Sequence, residues 1–215
     1  MPISTRKPGK RRAGRPRNPV SREVLISAAV TAFADRGYAA SSLDRIAAET
    51  GIRKSSLLHR FGSKEVLYLE ALTHVLGNLG ELVQSAASGT EDFVGRLDRL
   101  SRLITDYLGD EPRAARLLFR EAMDRGPFFS GPGGPLFLHV LRTAVSFIEE
   151  GVEAGAFSSS DPKDTVMSIV GLHLSYFAIH ELSEQVLGAP VFEVQARDRR
   201  RVEVVAQVRR ICGVS

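Results

Sequence analysis

An all-α protein is expected from this sequence, a three-helix head with a helix-turn-helix followed by a body of roughly six helices, on three grounds. Apolar residues recur at helical spacing through most of the chain, no segment sustains period-two alternation, and glycine and proline fall at the breaks between periodic runs. In the first helix Leu25, Ala28, Ala29, Ala32 and Phe33 lie at i, i+3, i+4, i+7 and i+8, and the run ends near Gly37. A second helix follows, with Ser42 as its N-cap and Leu43, Ile46 and Ala47 on one face. Gly51 supplies the turn, because glycine takes a left-handed conformation at least cost. Ile52, Leu57 and Phe61 then pack a third helix back onto Ile46.

Residues 42–64, SLDRIAAETGIRKSSLLHRFGSK, thus have the layout of a helix-turn-helix. The face opposite Leu57 carries Lys54, Ser55, Ser56, His59 and Arg60, whose donor-rich side chains suit base edges and phosphates in a major groove of double-stranded DNA. Charge distribution points the same way. Residues 1–64 hold 14 Lys or Arg against 4 Asp or Glu, and residues 65–215 hold 15 against 21. A basic end on an acidic body is expected where only one end meets a polyanion.

Residues 25–72 resemble the N-terminal domain of the TetR family of transcriptional regulators. The marks are Ala28-Ala29 with Phe33, Arg36-Gly37-Tyr38, Ile46-Ala47, Gly51, Phe61 and Ser63-Lys64-Glu65 with Leu67. The third helix departs from the family pattern at two places: Arg53 stands near the usual Ser or Thr cap, and Leu58 stands at the usual phosphate-contacting Tyr. The resemblance therefore implies phosphate contacts resting on Ser42, Arg53, Lys54, His59 and Lys64. It also implies a homodimer and a small-molecule effector, with no cofactor.

Residues 1–20 contain seven Lys or Arg, four Pro and no acidic residue, a composition that cannot form a packed core. Within them, the run from Arg12 through Gly14, Arg15 and Pro16 to Arg17 resembles an AT-hook. Glycine permits close approach, proline keeps the chain extended, and Arg12, Arg15 and Arg17 answer the negative potential of a narrow minor groove. A generic basic tail that only adds nonspecific affinity is the alternative, and with it an architectural DNA-binding protein dominated by its arm.

The expected organisation is a basic arm at 1–20, a DNA-binding domain at 21–64 and an effector-binding and dimerisation domain at 65–215. Breaks near residues 88–89, 109–112, 126–135, 158–162 and 188–190 divide the body. A helix is predicted over 164–187, apolar on more than one face and carrying the small residues Ser168, Gly171, Ser175 and Ala178. A final helix is predicted over 197–212, with Val204, Val205, Val208 and Ile211 in one stripe among arginines. These last two helices are the expected dimer surface, although both stripes would also suit the protomer's own core. The same segment is diffusely similar to the branch of the family that includes the pyrimidine-utilisation regulator.

Five of the eleven phenylalanines (Phe119, Phe128, Phe129, Phe137 and Phe147) fall within 29 residues, around a glycine- and proline-rich link at 126–135. Phe119, Phe128, Phe129 and Phe147 of these, with Met123, His173, Tyr176 and Phe177, are the expected effector-binding residues, with the link as a wall or portal. Aromatic residues at helical spacing are also ordinary core.

Catalysis has no supporting constellation. His180 and Glu181 begin like a zinc-protease helix, but Glu184 stands where the second histidine is needed. No phosphate-cradling glycine loop and no Gly-x-Ser-x-Gly is present, and Cys212 is the only cysteine, which rules out an intrachain disulfide and a cysteine-based zinc site. The expectation is therefore neither an enzyme nor a metal protein. No apolar run approaches the roughly 20 residues of a membrane span, and the start lacks a secretory core, so a cytoplasmic location without membrane partners is expected.

Overall fold

The computed structural model describes residues 20–124, 126–131 and 133–214. Among these are ten helices and no strand: α1 (Arg22–Ala40), α2 (Leu43–Glu49), α3 (Lys54–Phe61), α4 (Lys64–Ala87), α5 (Phe93–Asp110), α6 (Ala114–Asp124), α7 (Gly134–Glu153), α8 (Pro162–Ala178), α9 (His180–Leu187) and α10 (Val194–Ile211). The expected arm residues Arg12, Arg15 and Arg17 lie outside the described residues.

The head is built as its spacing predicts. Leu25, Ala29 and Phe33 of α1, Ile46 and Ala47 of α2, and Leu57 and Phe61 of α3 are all buried. Gly37 interrupts α1 with φ 75°, and buried Ser41 steadies the kink by donating its hydroxyl to the carbonyls of Gly37 and Ala32, at 2.7 and 3.0 Å. A side chain other than glycine at 37 would sit strained in that left-handed conformation.

α4 is the spine that belongs to both parts. Leu67, Ala71 and Leu72 complete the core of the head, while Leu76, Leu79 and Val83 continue the same face into the body. There α4 packs against α5 and α7, and α8 closes the layer beside α5, α6, α7 and α10. A second core lies at the far end, where Phe147, Phe157, Val166, Val204, Val208 and Cys212 meet.

Three sequence expectations change. The helix predicted over 164–187 is two helices broken at Ile179, which gives the body seven helices. At the break Arg116 of α6 donates to the carbonyl of Ala178 at 3.2 Å, and Leu182 N–H turns to the carbonyl of Ile179 at 2.9 Å. A carbonyl drawn off by a side chain 62 residues away leaves the i to i−4 ladder, and the helix bends there.

Second, the α10 stripe faces its own protomer. Val204 is 0% and Val208 1% exposed, and the arginines around them pair with α5. Arg197 meets Asp110 at 2.5 Å, Arg201 meets Asp106, and Arg209 makes a two-pronged pair with Asp98 at 2.8 and 2.6 Å. Third, the described residues of the link at 126–135 line neither of the pockets between α4, α5, α7 and α8. It is a turn gathered on the carboxylate of Glu121, which accepts from the backbone N–H groups of Phe128 and Phe129 at 2.8 and 2.9 Å. A β-carbon on Gly126 would lie 1.7 Å from the same carboxylate, so only glycine fits there.

Candidate nucleic-acid interface and effector cavity

On α3, Leu57 and Phe61 face inward, and Arg53, Lys54, Ser55, Ser56 and His59 are exposed. Arg53 occupies the N-cap without a side-chain cap hydrogen bond. The backbone N–H groups of Lys54 and Ser55 are thus left without a capping side chain, while Ser56 N–H donates to the Arg53 carbonyl at 2.9 Å, and such a helix start attracts a phosphate. Ser42 caps α2 by accepting from Asp44 N–H at 3.2 Å. Lys54 is held by Asp44 at 2.8 Å, an exposed pair worth little and readily exchanged for a phosphate.

Two of the sequence-predicted DNA residues are engaged elsewhere. Arg60 is turned inward, its guanidinium donating to the carbonyl of Val20 while Arg22 reaches the Arg60 carbonyl at 3.4 Å. Lys64, at the start of α4, donates to the carbonyl of Ala39 at 3.1 Å and stands 4.6 Å over the ring of Tyr38. Arg60 is thus a clamp that fixes Val20 beside α3, and Lys64 a brace on the end of α1, where a cation is favoured by the helix dipole.

In the body, two adjoining apolar voids of about 90 and 70 Å³ lie between α4, α5, α7 and α8. Val83, Ile104, Ala144, Ile169, Val170 and His173 line both. Of the sequence-predicted effector residues, His173 and Phe147 reach these voids. The others lie elsewhere. Met123 projects into solvent at 71% exposure, Phe128 and Phe177 are buried core, Phe119 and Phe129 pack on that core, and Tyr176 borders a surface groove with Arg200.

His173 is 3% exposed and neither ring nitrogen has a hydrogen-bond partner. Burial first, and then the charge of Arg200, pull its pKa down to about 3, so the imidazole is neutral at ordinary pH. Glu121 was missed from sequence. It is 0% exposed and accepts the Tyr68 hydroxyl at 2.6 Å in addition to the two backbone N–H groups. The signal was present, because Glu121 follows Leu117 and Leu118 on the buried stripe of α6, where a charge has to be explained by partners. Burial and the bond to Glu121 push the Tyr68 phenol far above its ordinary pKa.

Cys212 is buried in the second core and its thiol is pushed up to about 11 by burial. Among the described residues, no group of three or more His, Cys, Asp or Glu is placed to hold a metal ion, and no helix is long and apolar enough to cross a membrane.

A small three-helix head with an exposed, donor-rich third helix, carried on a separate helical body, defines a helix-turn-helix DNA-binding protein. Comparison with known proteins makes this specific. Residues 25–71 match the family model for bacterial regulatory proteins of the tetR family, and residues 94–208 match the tetracyclin repressor-like C-terminal domain. The chain belongs to the TetR family and is a DNA-binding transcriptional regulator.

The transcriptional activator FasR of Mycolicibacterium smegmatis is 35% identical over 111 residues, which cover 52% of this chain and about half (51%) of that relative. The regulator RutR of Escherichia coli K12 is 25% identical over 170 residues, 78% of this chain and 79% of RutR. The fold matches that of the TetR-family regulator PfmR from Thermus thermophilus, with TM-score 0.69 at 19% identity over 92% of this chain and 99% of that one. It also matches AibR, crystallised with isovaleryl coenzyme A and operator DNA, with TM-score 0.67 at 16% identity over 86% and 96%.

Proposed function

We propose that this regulator is a homodimeric repressor that leaves its operator when a small molecule enters the body. The division into a basic arm (1–20), a DNA-reading head (21–64) and an effector and dimer body (65–215) is part of that reading, as is a cytoplasmic site of action. On DNA, the exposed face of α3 lies in a major groove. Lys54, Ser55, Ser56 and His59 meet bases and phosphates, and Ser42 and Arg53 meet the backbone. Arg60 holds Val20 beside α3, so the arm with Arg12, Arg15 and Arg17 is delivered to the same stretch of duplex.

The observation that carries effector control is a continuous physical connection between the voids and the head. Phe137 lines one void and packs against Phe129 in a tilted pair with centroids 4.4 Å apart. Phe129 N–H binds Glu121, Glu121 binds Tyr68 on α4, and the Tyr68 ring lies 4.9 Å from that of Tyr38, over which Lys64 sits. A ligand that displaces Phe137 shifts the equilibrium between two settings of α4 and hence the spacing of two heads on their half-sites.

For the dimer, α8 and α10 remain the candidate surface by what they leave exposed. Met167 and Val202 are 55% and 70% exposed, and Gly171 has open space beside it. The arginine ladder and the Val204 stripe of α10 hold the protomer together instead.

The test is fluorescence anisotropy on DNA upstream of the protein's own gene against a shuffled fragment, across a salt series, with sedimentation for the oligomer. A steep salt dependence with preference for the native fragment, bound by a dimer, is expected. Equal affinity for both fragments would sink the site-specific reading. The named relative FasR is an activator, so a reporter assay in cells lacking the protein decides the sense of control: repression requires expression to rise.

A further inference from the structure

Residues 21–64 hold four carboxylates, and three of them answer to α1, α2 or the body. Asp35 is held by Arg113 of α6 at 2.7 Å, Glu49 pairs with Arg45 and Arg36 at 3.2 and 3.6 Å, and Glu23 lies in the first turn of α1. The fourth, Asp44, reaches α3. Its Oδ2 accepts from Lys54 Nζ at 2.8 Å, both side chains are exposed, and among the described residues no second residue donates to this carboxylate. An acid in the first turn of α2 also suits the helix dipole, but that role needs no partner on α3, and Ser42 already caps the helix.

Lys54 is the first residue of α3, and the N-terminal residues of a recognition helix are the ones that meet base edges. Asp44 is therefore carried to the groove with it. On an arbitrary duplex Lys54 exchanges Asp44 for a phosphate, and the carboxylate is left beside the backbone without its counter-charge. Like charges across an interface disfavour every sequence that offers no donor, which is how a repulsive element creates preference.

Docked intact, the pair presents a donor and an acceptor 2.8 Å apart. The major-groove edge of a G·C pair presents the complement. Guanine O6 accepts, cytosine N4 donates, and the two lie about 2.9 Å apart because they are bonded to each other. Lys54 on O6 has N7 beside it for a second N–H, and Asp44 on N4 gains the donor it lacks. Reversing the base pair sets ammonium against amine and carboxylate against O6. An A·T pair offers thymine O4 and adenine N6 at the same spacing, but it puts a methyl group where Lys54 would find the second acceptor.

We propose that Asp44 is a specificity-determining residue that, together with Lys54, reads the orientation of one G·C pair, with Lys54 on the guanine and Asp44 on the cytosine. It rests on the reading of α3 in a major groove.

The test uses the full chain and a duplex that the wild type enriches from a random pool. Each G·C pair of that duplex is reversed in turn, and affinity is read by fluorescence anisotropy for wild type, Asp44→Ala and Lys54→Ala. Both side chains are exposed, so the variants keep the fold. For the wild type, reversal at one position costs about tenfold; for Asp44→Ala the cost there falls to about twofold while costs elsewhere stay the same. Lys54→Ala relaxes the same position. Asp44→Ala also binds random duplex about threefold more tightly, with a salt slope steeper by about one, since Lys54 is then unopposed. An acid that serves only the helix dipole would change affinity equally for every sequence. Reversal costs that match between wild type and Asp44→Ala at every position, or relaxation at different positions by the two variants, overturn the assignment and leave the groove reading standing. A wild type that enriches no motif overturns both.

Discussion

Glu121 and His173 are both buried polar side chains of the body, one on α6 and one on α8, and they are accommodated in opposite ways. Glu121 has three donors from two directions and sits against a glycine that leaves it room. His173 has none and borders empty space. A buried polar group with every partner in place specifies one arrangement of the chain, here the turn at Phe128 and Phe129 and its seat on α4. One left without partners costs stability and fixes no arrangement. The first region is a fastening, the second a packing cost beside empty space.

The largest effect should come from the fastening. Glu121→Leu strands the Tyr68 hydroxyl and two backbone N–H groups, and stability to urea should fall by roughly 3 kcal/mol. Glu121→Gln keeps an acceptor and should lose less than half of that. A loss below about 1 kcal/mol for the leucine variant would mean that the turn holds itself, and the contrast with His173 would disappear.

The opposite sign is expected at His173. His173→Leu removes two unsatisfied buried nitrogens and should raise stability by roughly 1–2 kcal/mol at neutral pH. The gap should widen in acid. The unfolded chain protonates this histidine near 6.5 and the folded chain only near 3, so the wild type loses stability as pH falls through that window. The loss is at most about 1.4 kcal/mol per pH unit, and none of it arises above roughly pH 6.5. Parallel pH profiles for wild type and His173→Leu between about pH 6.5 and 4 would show that the ring is not buried neutral.

In the head the same distinction separates two basic residues on one helix. Lys54→Ala should weaken operator binding about tenfold and reduce the salt slope by about one, without affecting folding. Arg60→Ala should cost roughly 1 kcal/mol of stability through the lost Val20 clamp and leave the salt slope of the DNA-contacting face unchanged. A drop in slope for Arg60→Ala would return it to the groove. The smallest effect is at Cys212, whose thiol should stay unreactive toward thiol reagents at about pH 8 until the protein unfolds.

The all-helical class, the three-helix head, the family and the exposed face of α3 were legible in the residues alone. All of these rest on local periodicity, a capping serine and a turn glycine, which are written within a few residues of where they act. The remaining features came from packing, because each depends on a partner far along the chain. The break at Ile179 needs Arg116, the inward turn of Arg60 needs Val20, and the placement of the Val204 stripe needs the aspartates of α5. His173 was one of four body histidines in sequence, and its position on the buried stripe with Val166 and Phe177 could not say whether its nitrogens were satisfied. Spacing tells which face a side chain takes, and only the packed neighbours tell whether that face is filled.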